Sequence, residues 1–464
     1  MQTNPDTIIL KKAPDMIYAK KYHIKTWGCQ MNVYDSQRIG EILQSLKYES
    51  TEDVSEADLV ILNTCHVREK ATEKVYSDIG RLKILKERRR KIGKNLIIGI
   101  SGCVAQAEGE EIIKRAPIVD MVFGTQTWHK LKDMIYEIEN NHKKVFNTDF
   151  PVEEKFDSLP HIFDIKRVQS GAAFIAIQEG CDKFCTYCVV PYTRGAEYSR
   201  PTWKVLNEID QLANQGAQEI MLLGQNVNAY HGDAHDGTQW TLGKLIRKVA
   251  EHPKITRIRY TTSYPAEVDD DLISAHQEVS KLMPLLHLPV QSGSNKILKA
   301  MNRRHTVEQY LDLIKRLKQA NPNLAFTSDF IVGFPGETEE DFCATLALID
   351  QVEFIQAYSF IFSSRLGTPA ALMANQIDET VKLERLHRLQ GVLEGHTKKF
   401  NLDCVGKIFS VLLDRPGKQP NQLVGKNSYM QAVHVDNVGL EKIGTIVNLK
   451  ITAAYQNSLA GELV

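Results

Sequence analysis

The sequence lacks an apolar run long enough to cross a membrane, and it has no excess of charge of either sign. A membrane-spanning helix needs about 20 consecutive apolar residues. Lysine plus arginine equal aspartate plus glutamate at 57 each, which weighs against nucleic-acid binding by bulk charge and leaves only a local patch for RNA. Residues 1–21 contain no arginine and no apolar segment typical of a signal peptide. We therefore expect them to be a mobile tail of a cytoplasmic protein.

Cysteine is also scarce, with eight in 464 residues. So few thiols in a long cytosolic chain indicate metal or redox chemistry and not a disulfide framework. The 43% hydrophobic and 25% charged content is ordinary for a globular protein, and the length suits two or three domains.

Three cysteines, Cys181, Cys185 and Cys188, have the spacing Cys-x3-Cys-x2-Cys. No fourth cysteine or histidine lies close by to close a structural zinc site. Thiolate ligation selects zinc or iron–sulfur clusters, and three thiolates on a cubane leave one iron open to a substrate. The spacing therefore favours an iron–sulfur cluster, with a zinc site or plain buried thiols as alternatives.

Three further cysteines each follow a short apolar run in residues 22–147, where such runs alternate with helical patterns. This alternation indicates a parallel α/β layer. Cys29, Cys65 and Cys103 are 36 (65 − 29) and 38 (103 − 65) residues apart, about one strand-plus-helix unit each. Since the carboxyl ends of parallel strands share one edge, we expect the three thiols to converge on a second cluster. Three unrelated buried thiols are the alternative.

From residue 172 the alternation continues through six units, which predicts an open, partial TIM-type barrel. The loop of residues 181–188 follows the first strand, at the end where such barrels carry their chemistry. The candidate strands are 173–178, 219–223, 257–262, 285–290, 325–332 and 355–362.

The remaining segments have mixed signals. Residues 81–94 are strongly basic, which fits either a phosphate-contacting helix or a solvated helix face. Residues 148–167 are charged, contain two prolines and are expected to be a linker. After a helical stretch at 378–401, strands at 408–413, 431–435, 444–451 and 459–464 predict a small all-β module. Cys343 and Cys404 match no ligand motif and are expected to be buried free thiols.

The cysteine spacing resembles the signature of the radical S-adenosylmethionine (SAM) enzymes, and the chain from about Tyr22 onward resembles the radical-SAM methylthiotransferases of the MiaB type. The last module is similar to a TRAM domain, which in that family helps to hold RNA. The matching motifs are residues 28–32, 63–65, 67–69, 102–106, 178–181, 191–195, 222–228 and 291–294.

The resemblance implies a methylthiotransferase domain at 22–147, a radical-SAM domain with a partial (β/α)6 barrel at 168–398, and a TRAM-like RNA-binding barrel at 399–464. It implies two [4Fe–4S] clusters: a radical-generating cluster and an auxiliary cluster that carries the sulfur. The implied ligands are Cys181, Cys185 and Cys188 for the first, and Cys29, Cys65 and Cys103 for the second.

The resemblance also implies contacts with SAM and substrate. Arg194 is expected to serve the substrate or its phosphate backbone, with a structural ion pair as the alternative. Tyr187 is expected near the adenine of SAM, with an ordinary packed aromatic as the alternative. Besides Tyr187, further SAM contacts are expected from the residues themselves, because polar and glycine-containing sequences stand at the ends of the other candidate strands. They are Gly224, Gln225, Gln291, Ser292 and Asp329.

The activity implied is methylthiolation of carbon 2 of N6-isopentenyladenosine at position 37 of tRNA, with SAM as methyl donor and radical source. The implied partners are the anticodon stem-loop of tRNA, an electron donor such as flavodoxin or ferredoxin, and a sulfur-supplying system. Alternative targets are N6-threonylcarbamoyladenosine 37 and a ribosomal-protein aspartate. A non-enzymatic alternative is an iron–sulfur protein that binds RNA or transfers electrons.

Overall fold

The computed structural model describes residues 20–66, 71–151, 155, 156, 168, 170–365 and 367–464. Residues 1–19 of the predicted tail and most of the predicted linker lie outside these residues, as does the 67–69 motif. Lys20 and Lys21, the last two residues of the predicted tail, belong to the first strand. The chain forms two compact units. Unit 1 contains the described residues up to 167 together with 179–182 and 189–198, and unit 2 contains 168–178, 183–188 and 199–464.

Unit 1 is built on a six-stranded parallel sheet with the strand order β2-β1-β3-β4-β5-β6. Its central strands β3 and β4 are buried throughout because their apolar side chains face helices on both sides. The parallel α/β prediction is confirmed. The strands are β1 (Lys20–Thr26), β2 (Tyr48–Ser50), β3 (Leu59–Thr64), β4 (Ile97–Gly102), β5 (Met121–Phe123) and β6 (Val145–Asn147). The helices are α1 (Gln30–Ser45), α2 (Ala71–Lys91), α3 (Cys103–Glu108), α4 (Glu111–Arg115), α5 (Leu131–Asn141) and α6 (Val190–Arg194).

Unit 2 contains the predicted partial barrel, as two three-stranded parallel sheets with the orders β13-β10-β7 and β14-β15-β16. All six predicted strands are present. They are β7 (Ala172–Ala176), β10 (Glu219–Leu223), β13 (Arg257–Thr261), β14 (Leu285–His287), β15 (Ala325–Val332) and β16 (Gln356–Ile361). Two short ladders pair β8 (Gln178–Glu179) with β9 (Tyr198–Ser199), and β11 (Gly232–Asp233) with β12 (Gln239–Trp240).

Amphipathic helices cover the outer face of this barrel and form one large apolar core with its strands. No helix in the described parts of the chain combines the length and the apolar character that crossing a bilayer requires. The helices are α7 (Thr202–Asn214), α8 (Leu242–Ala250), α9 (Asp270–Glu278), α10 (Asn295–Ala300), α11 (Val307–Ala320), α12 (Glu339–Val352) and α13 (Glu379–Asp403).

The C-terminal module is a closed five-stranded barrel with the order β17-β18-β19-β21-β20. The sequence predicted four of these strands and missed β18. Helix α13 continues to Asp403, so the predicted boundary between 398 and 399 lies inside this helix. The strands are β17 (Ile408–Pro416), β18 (Gln422–Lys426), β19 (Ala432–Asp436), β20 (Ile446–Ala454) and β21 (Ser458–Leu463).

Two buried arginines at the start of β13 hold the C-terminal barrel. Arg259 donates hydrogen bonds to the carbonyls of Asn427 (2.8 Å) and Ser428 (2.7 Å). Arg257 donates to the carbonyl of Ser410 (2.5 Å). The β-module therefore lies at the amino ends of the (β/α)6 strands, and the carboxyl ends, where such barrels carry their chemistry, face the other way.

Candidate functional site

In unit 1, Cys29, Cys65 and Cys103 lie at the carboxyl ends of three neighbouring strands. Cys29 follows β1 and precedes α1, Cys65 directly follows β3, and Cys103 begins α3 after β4. A Cβ added to Gly28 would come within 2.5 Å of the Cβ of Cys65, and Cys29 and Cys103 interact electrostatically. The structure therefore brings these three residues to one edge of the sheet, which we call the cysteine edge.

The donor set at this edge suits a thiolate-bound cluster. Cys65 and Cys103 are buried and Cys29 is exposed. Within the described residues, no three metal-binding side chains are close enough to hold a single ion, whereas a cubane is held by thiolates distributed around it. Burial raises the pKa of the Cys103 thiol, and the charge of Arg194 opposes this shift. Three soft donors beside a fixed cation fit an iron–sulfur cluster better than a closed zinc site.

Arg194, at the end of α6, is the centre of a buried group of charges. Its guanidinium donates hydrogen bonds to Asp35 Oδ2 (2.7 Å) and Glu179 Oε1 (2.6 Å). Lys155 Nζ lies 2.8 Å from Glu179 Oε2 and 3.4 Å from Asp35 Oδ1. We call these four residues the charge quartet; each side chain is at most 3% exposed. Two positive and two negative charges balance in a space that excludes water.

The quartet also contacts the cysteine edge. Burial lowers the pKa of Arg194, but the charges of Asp35, Glu179 and Cys103 outweigh burial and raise it, so the guanidinium stays protonated. The charge of Arg194 acts on the Cys103 thiol, and Arg194 donates a hydrogen bond to Asn32 Oδ1 (2.9 Å).

Asn32 in turn donates to the backbone carbonyl of Thr64, next to Cys65, at 2.9 Å. Arg194 thus joins α6 to the loops that carry the cysteines. These contacts match the alternative role of Arg194, that of a structural ion pair. Its expected contact with the substrate stays a prediction.

Sequence reasoning missed Asp35, Glu179 and Lys155 as parts of this site. All three charged side chains are almost fully buried. In the sequence they are isolated charges at distant positions, which do not indicate that they meet. Glu179 stands two residues before Cys181 in a recognised motif, which was the only available signal.

The loop of residues 181–188 contributes to both units. In unit 1, the backbone N–H of Cys181 donates to the carbonyl of Gly195 (3.2 Å). Gly180 has φ +76°, and a Cβ there would collide with the Ala196 carbonyl, so the turn into Cys181 requires glycine.

In unit 2, Cys185 is buried and Cys188 is half-buried. The N–H of Cys188 donates to the carbonyl of Cys185 (2.9 Å). Arg303 Nη1 lies 3.7 Å from Cys185 Sγ, and its guanidinium lies 4.2 Å from the centre of the Tyr264 ring. Arg303 thus holds a cation against one of the predicted cluster ligands.

Tyr187 packs against an apolar cluster that includes Met301, Phe334 and Phe362. Burial raises the pKa of Tyr187 well above its usual value, and the charge of Asp329 contributes to this shift. The phenol is therefore protonated and lies near Asp329. Tyr187 is therefore a packed aromatic residue, which is the alternative that the sequence left open. Its expected contact with SAM stays a prediction.

Two further residues that are expected to contact SAM, Gly224 and Gln225, lie in the loop after β10. The side-chain oxygen of Gln178 accepts hydrogen bonds from the backbone of Gln225 (2.8 Å) and Asn226 (3.0 Å). A Cβ on Gly224 would approach this oxygen to 2.6 Å. Gln178 therefore fixes the loop, and only glycine fits beside it.

The other three candidates lie at or near the carboxyl ends of β14 and β15. Ser292 is 1% exposed and its hydroxyl lies 3.4 Å from that of Thr345. Gln291 has φ +79°. The Asp329 side chain is 27% exposed, and its Oδ2 lies 3.6 Å from Nε2 of His287, a residue that no sequence motif indicated. Contacts of these residues with SAM stay predictions.

The two cysteines outside the ligand motifs have different environments. Cys404 is buried, as predicted. The prediction of a buried Cys343 is wrong, because Cys343 is exposed with its Sγ 3.6 Å from Glu339 Oε1. Helix α12 buries Phe342 and Thr345, and position 343 falls on the solvent side of the same turn.

The basic segment 81–94 forms the second half of α2 and the turn after it. Two of its cations point inward: Arg89 binds Asp58, and Lys86 binds Asp120. Six others are exposed, of which Arg81 lies 3.0 Å from Asp78. They are Arg81, Lys83, Arg88, Arg90, Lys91 and Lys94. A phosphate contact and a solvated face both remain open for these exposed residues.

Three family models match the chain in succession. Residues 21–124 match Uncharacterized protein family UPF0004, residues 175–349 match the Radical SAM superfamily, and residues 403–464 match the TRAM domain. The first match contains Cys29, Cys65 and Cys103, and the second contains Cys181, Cys185 and Cys188.

Similar proteins include one of nearly the same length. The chain is 52% identical over 446 residues to the tRNA-2-methylthio-N(6)-dimethylallyladenosine synthase of Agrobacterium fabrum strain C58, covering 96% of this chain and 98% of that protein.

Two solved structures share the fold at low identity. One is the radical S-adenosylmethionine methyltransferase TsrM from Kitasatospora setae (TM-score 0.56, 13% identity, 77% of this chain and 74% of that chain). The other is the cobalamin-dependent S-adenosylmethionine radical enzyme OxsB (TM-score 0.52, 13% identity, 81% of this chain and 56% of that chain).

Proposed function

The chain belongs to the radical-SAM methylthiotransferase family, MiaB type, and we propose that it methylthiolates carbon 2 of N6-dimethylallyladenosine 37 in tRNA. The observation that carries the proposal is the 52% identity to a tRNA-2-methylthio-N(6)-dimethylallyladenosine synthase, which extends over 98% of that protein. An identity that spans all three matched segments favours the same target base over the alternative targets.

In this proposal, the C2–H bond of the adenine is replaced by a C–S bond. One SAM supplies the methyl group and leaves as S-adenosylhomocysteine. A second SAM is reductively cleaved to methionine and the 5′-deoxyadenosyl group, which takes the hydrogen and leaves as 5′-deoxyadenosine. A reductant of the flavodoxin or ferredoxin class supplies the electrons. The C2–H bond is not acidic, so no side-chain base can open this route. The Radical SAM match implies SAM and a [4Fe–4S] cluster, and the auxiliary cluster is part of the proposal. When bound, the clusters supply the electron that cleaves SAM and the sulfur that is installed.

The residues of unit 1 that serve this chemistry are the cysteine edge and the charge quartet. Cys29, Cys65 and Cys103 would hold the auxiliary cluster. Arg194 keeps a positive charge beside Cys103, which stabilises thiolate against thiol in a buried site. Asp35 balances that charge, so the site needs no water to screen it.

The ligands of the radical-generating cluster would be Cys181, Cys185 and Cys188. Arg303 holds a cation against Cys185. Gln178 fixes the backbone after β10, where the SAM-contacting residues are proposed. These fixed contacts suit a site that positions its reactants and keeps water away from a radical.

The TRAM match supports tRNA as the partner. With 57 positive and 57 negative residues, the chain has no bulk charge for RNA, so binding must use local surfaces. The exposed cations of α2 are one such surface.

The test uses the full chain, loaded anaerobically with iron and sulfide and given SAM and a reductant. Its substrates are tRNA carrying dimethylallyladenosine 37, tRNA carrying threonylcarbamoyladenosine 37, and unmodified tRNA. Mass spectrometry of nucleosides should find the methylthio product only with the first, together with 5′-deoxyadenosine.

A Cys343→Ala variant, altered at an exposed thiol, should match the wild type. A methylthio product from the tRNA that carries threonylcarbamoyladenosine 37 would show that this base is the target instead. Absence of SAM cleavage would leave an iron–sulfur protein that is not an enzyme.

A further inference from the structure

Strand β16 exposes two aromatic side chains. It is the last strand of the sheet β14-β15-β16, and its residues alternate between exposed and half-buried. Tyr358 is 54% exposed and Phe360 is 36% exposed. Neighbouring apolar side chains that stay exposed often mark an interaction site.

The alternation shows which face of the sheet carries these rings. Ala357 and Ile361 pack against the core under the helices, so they point outward from the barrel. Tyr358 and Phe360 therefore lie on the inner face, which is the face that a partial barrel turns toward its reactants.

The inner face continues from these rings onto β15. In the parallel register, Tyr358 pairs with Asp329 and Phe360 pairs with Ile331. Partners in register share a face, with strand axes about 4.8 Å apart.

The same face reaches the cysteine loop. Ile331 and Tyr187 pack against one apolar cluster, and Asp329 interacts electrostatically with Tyr187. Tyr187 stands between Cys185 and Cys188 in the sequence. The exposed rings are thus one strand away from residues that contact this loop.

The spacing of the rings suits a flat ligand. Residues two apart on a strand are separated by about 6.7 Å, roughly twice the contact distance of stacked carbon atoms. A planar base can enter between the two rings or stack on one of them. Neither ring carries a charge, so the pair suits a base and its apolar substituent and not a phosphate.

We propose that Tyr358 and Phe360 form the stacking site for the target adenine and its branched apolar N6 substituent. This proposal rests on the proposed function. An enzyme that reacts at a ring carbon must hold the base out of its stack, and unstacking is cheapest in a single-stranded loop. Aromatic side chains recover that cost by stacking.

The test measures tRNA affinity and SAM cleavage separately in the cluster-loaded full chain. Tyr358→Ala and Phe360→Ala should each weaken binding of dimethylallyl tRNA by roughly 10- to 100-fold, the value of one stacked base. Unmodified tRNA should lose less, so that discrimination between the two RNAs falls. The KM for SAM, measured as 5′-deoxyadenosine formed without tRNA, should not change.

Two variants serve as controls. Tyr358→Phe keeps the ring and should stay within about twofold of the wild type. Gln356→Ala alters an exposed residue on the same face of the same strand and should leave both affinities unchanged. If either alanine variant fails to fold, Tyr358→Leu and Phe360→Leu keep the apolar volume, remove the ring, and carry the same expectation.

Two results would overturn the proposal: unchanged affinity for dimethylallyl tRNA, or a raised KM for SAM with unchanged tRNA affinity, which would assign the rings to SAM. Failure of the proposed function is distinguishable, because the wild type would then form no methylthio product with dimethylallyl tRNA.

Discussion

The two cysteine trios are assembled by the chain in different ways. Cys29, Cys65 and Cys103 come from three separate strand ends, 36 (65 − 29) and 38 (103 − 65) residues apart, and only the parallel sheet of unit 1 brings them together. The trio Cys181, Cys185 and Cys188 lies within one loop. The first trio therefore depends on the register of a whole sheet, and the second depends mainly on local turns.

Their surroundings differ as well. Beside Cys103 lie two carboxylates and two cations, all buried. Beside Cys185 lies the guanidinium of Arg303, which also packs against an aromatic ring. The difference teaches that the first site is sensitive to any change in buried charge, whereas the second is surrounded mainly by apolar packing that tolerates small changes.

The largest expected effect separates the roles of the two trios. Cys185→Ala should abolish SAM cleavage, because the proposed radical-generating cluster would lose one of its three ligands. Cys65→Ala should keep SAM cleavage and lose sulfur insertion. The measurement is 5′-deoxyadenosine and the methylthio nucleoside from each variant. Normal methylthio product from either one would contradict the division of roles.

The next effect concerns the charge quartet. Arg194→Met leaves two buried carboxylates opposite Lys155 alone, and we expect a loss of about 3–5 kcal/mol in the free energy of unfolding. Thermal denaturation measures this loss. In a background in which Cys181, Cys185 and Cys188 are replaced by alanine, the variant should also retain less iron, because the charge of Arg194 acts on the Cys103 thiol.

Two controls sharpen this prediction. The double variant Asp35→Asn/Lys155→Met keeps the charges balanced, so it should be less destabilised than Asp35→Asn alone. Lys114→Met removes an exposed ion pair with Glu111 and should change stability by less than about 1 kcal/mol. Equal losses for Arg194→Met and Lys114→Met would show that the quartet has no special role.

A third effect tests how tightly the sheet holds the cysteine edge. Gly102, just before Cys103, has φ +87°, and a Cβ there would lie 2.3 Å from the Thr64 carbonyl. Gly102→Ala should cost about 3 kcal/mol, because backbone strain adds to a clash with a neighbouring strand. Gly93→Ala, at φ +71° with open space around it, should cost only about 1 kcal/mol. Equal melting temperatures would contradict this account.

The smallest effect is a pH dependence in unit 2. Burial lowers the pKa of His276 to about 4, and its ring lies 2.6 Å from the Tyr260 hydroxyl. In the unfolded chain the imidazole titrates near 6.5 and gains a proton first, so stability falls as the pH drops from about 6.5 toward 4. We expect a loss of about 2 kcal/mol by pH 5, measured as urea denaturation at pH 7.5 and 5.

His276→Gln should lack this contribution. His305, whose pKa is lowered to about 3 by burial and by Arg303, remains in both proteins and contributes equally. The same pH slope in wild type and variant would contradict the assignment.

Much of the fold was predictable because it is encoded by local periodicity. The six strands of the partial barrel appear where apolar runs predicted them, and regular spacing placed Cys29, Cys65 and Cys103 on neighbouring strand ends. Strand β18 was missed because its short polar and glycine-containing sequence gives no clear alternation.

The charge quartet was not predictable, because it joins residues up to 159 positions apart through tertiary packing. No local pattern marks Asp35 or Lys155 as buried partners. The exposure of Cys343 was also missed. Cysteine is commonly buried, but here the phase of α12 places it outside. Likewise, the aromatic face of β16 became visible only from the register with β15.

The most direct test of the two-trio account is iron analysis combined with Mössbauer spectroscopy of the anaerobically prepared chain. We predict about eight iron atoms per chain, as two [4Fe–4S] clusters of four each. The variant without Cys29, Cys65 and Cys103 and the variant without Cys181, Cys185 and Cys188 should each retain about half. A single cluster in the wild type, or a cluster content that one of the triple variants leaves unchanged, would contradict the account.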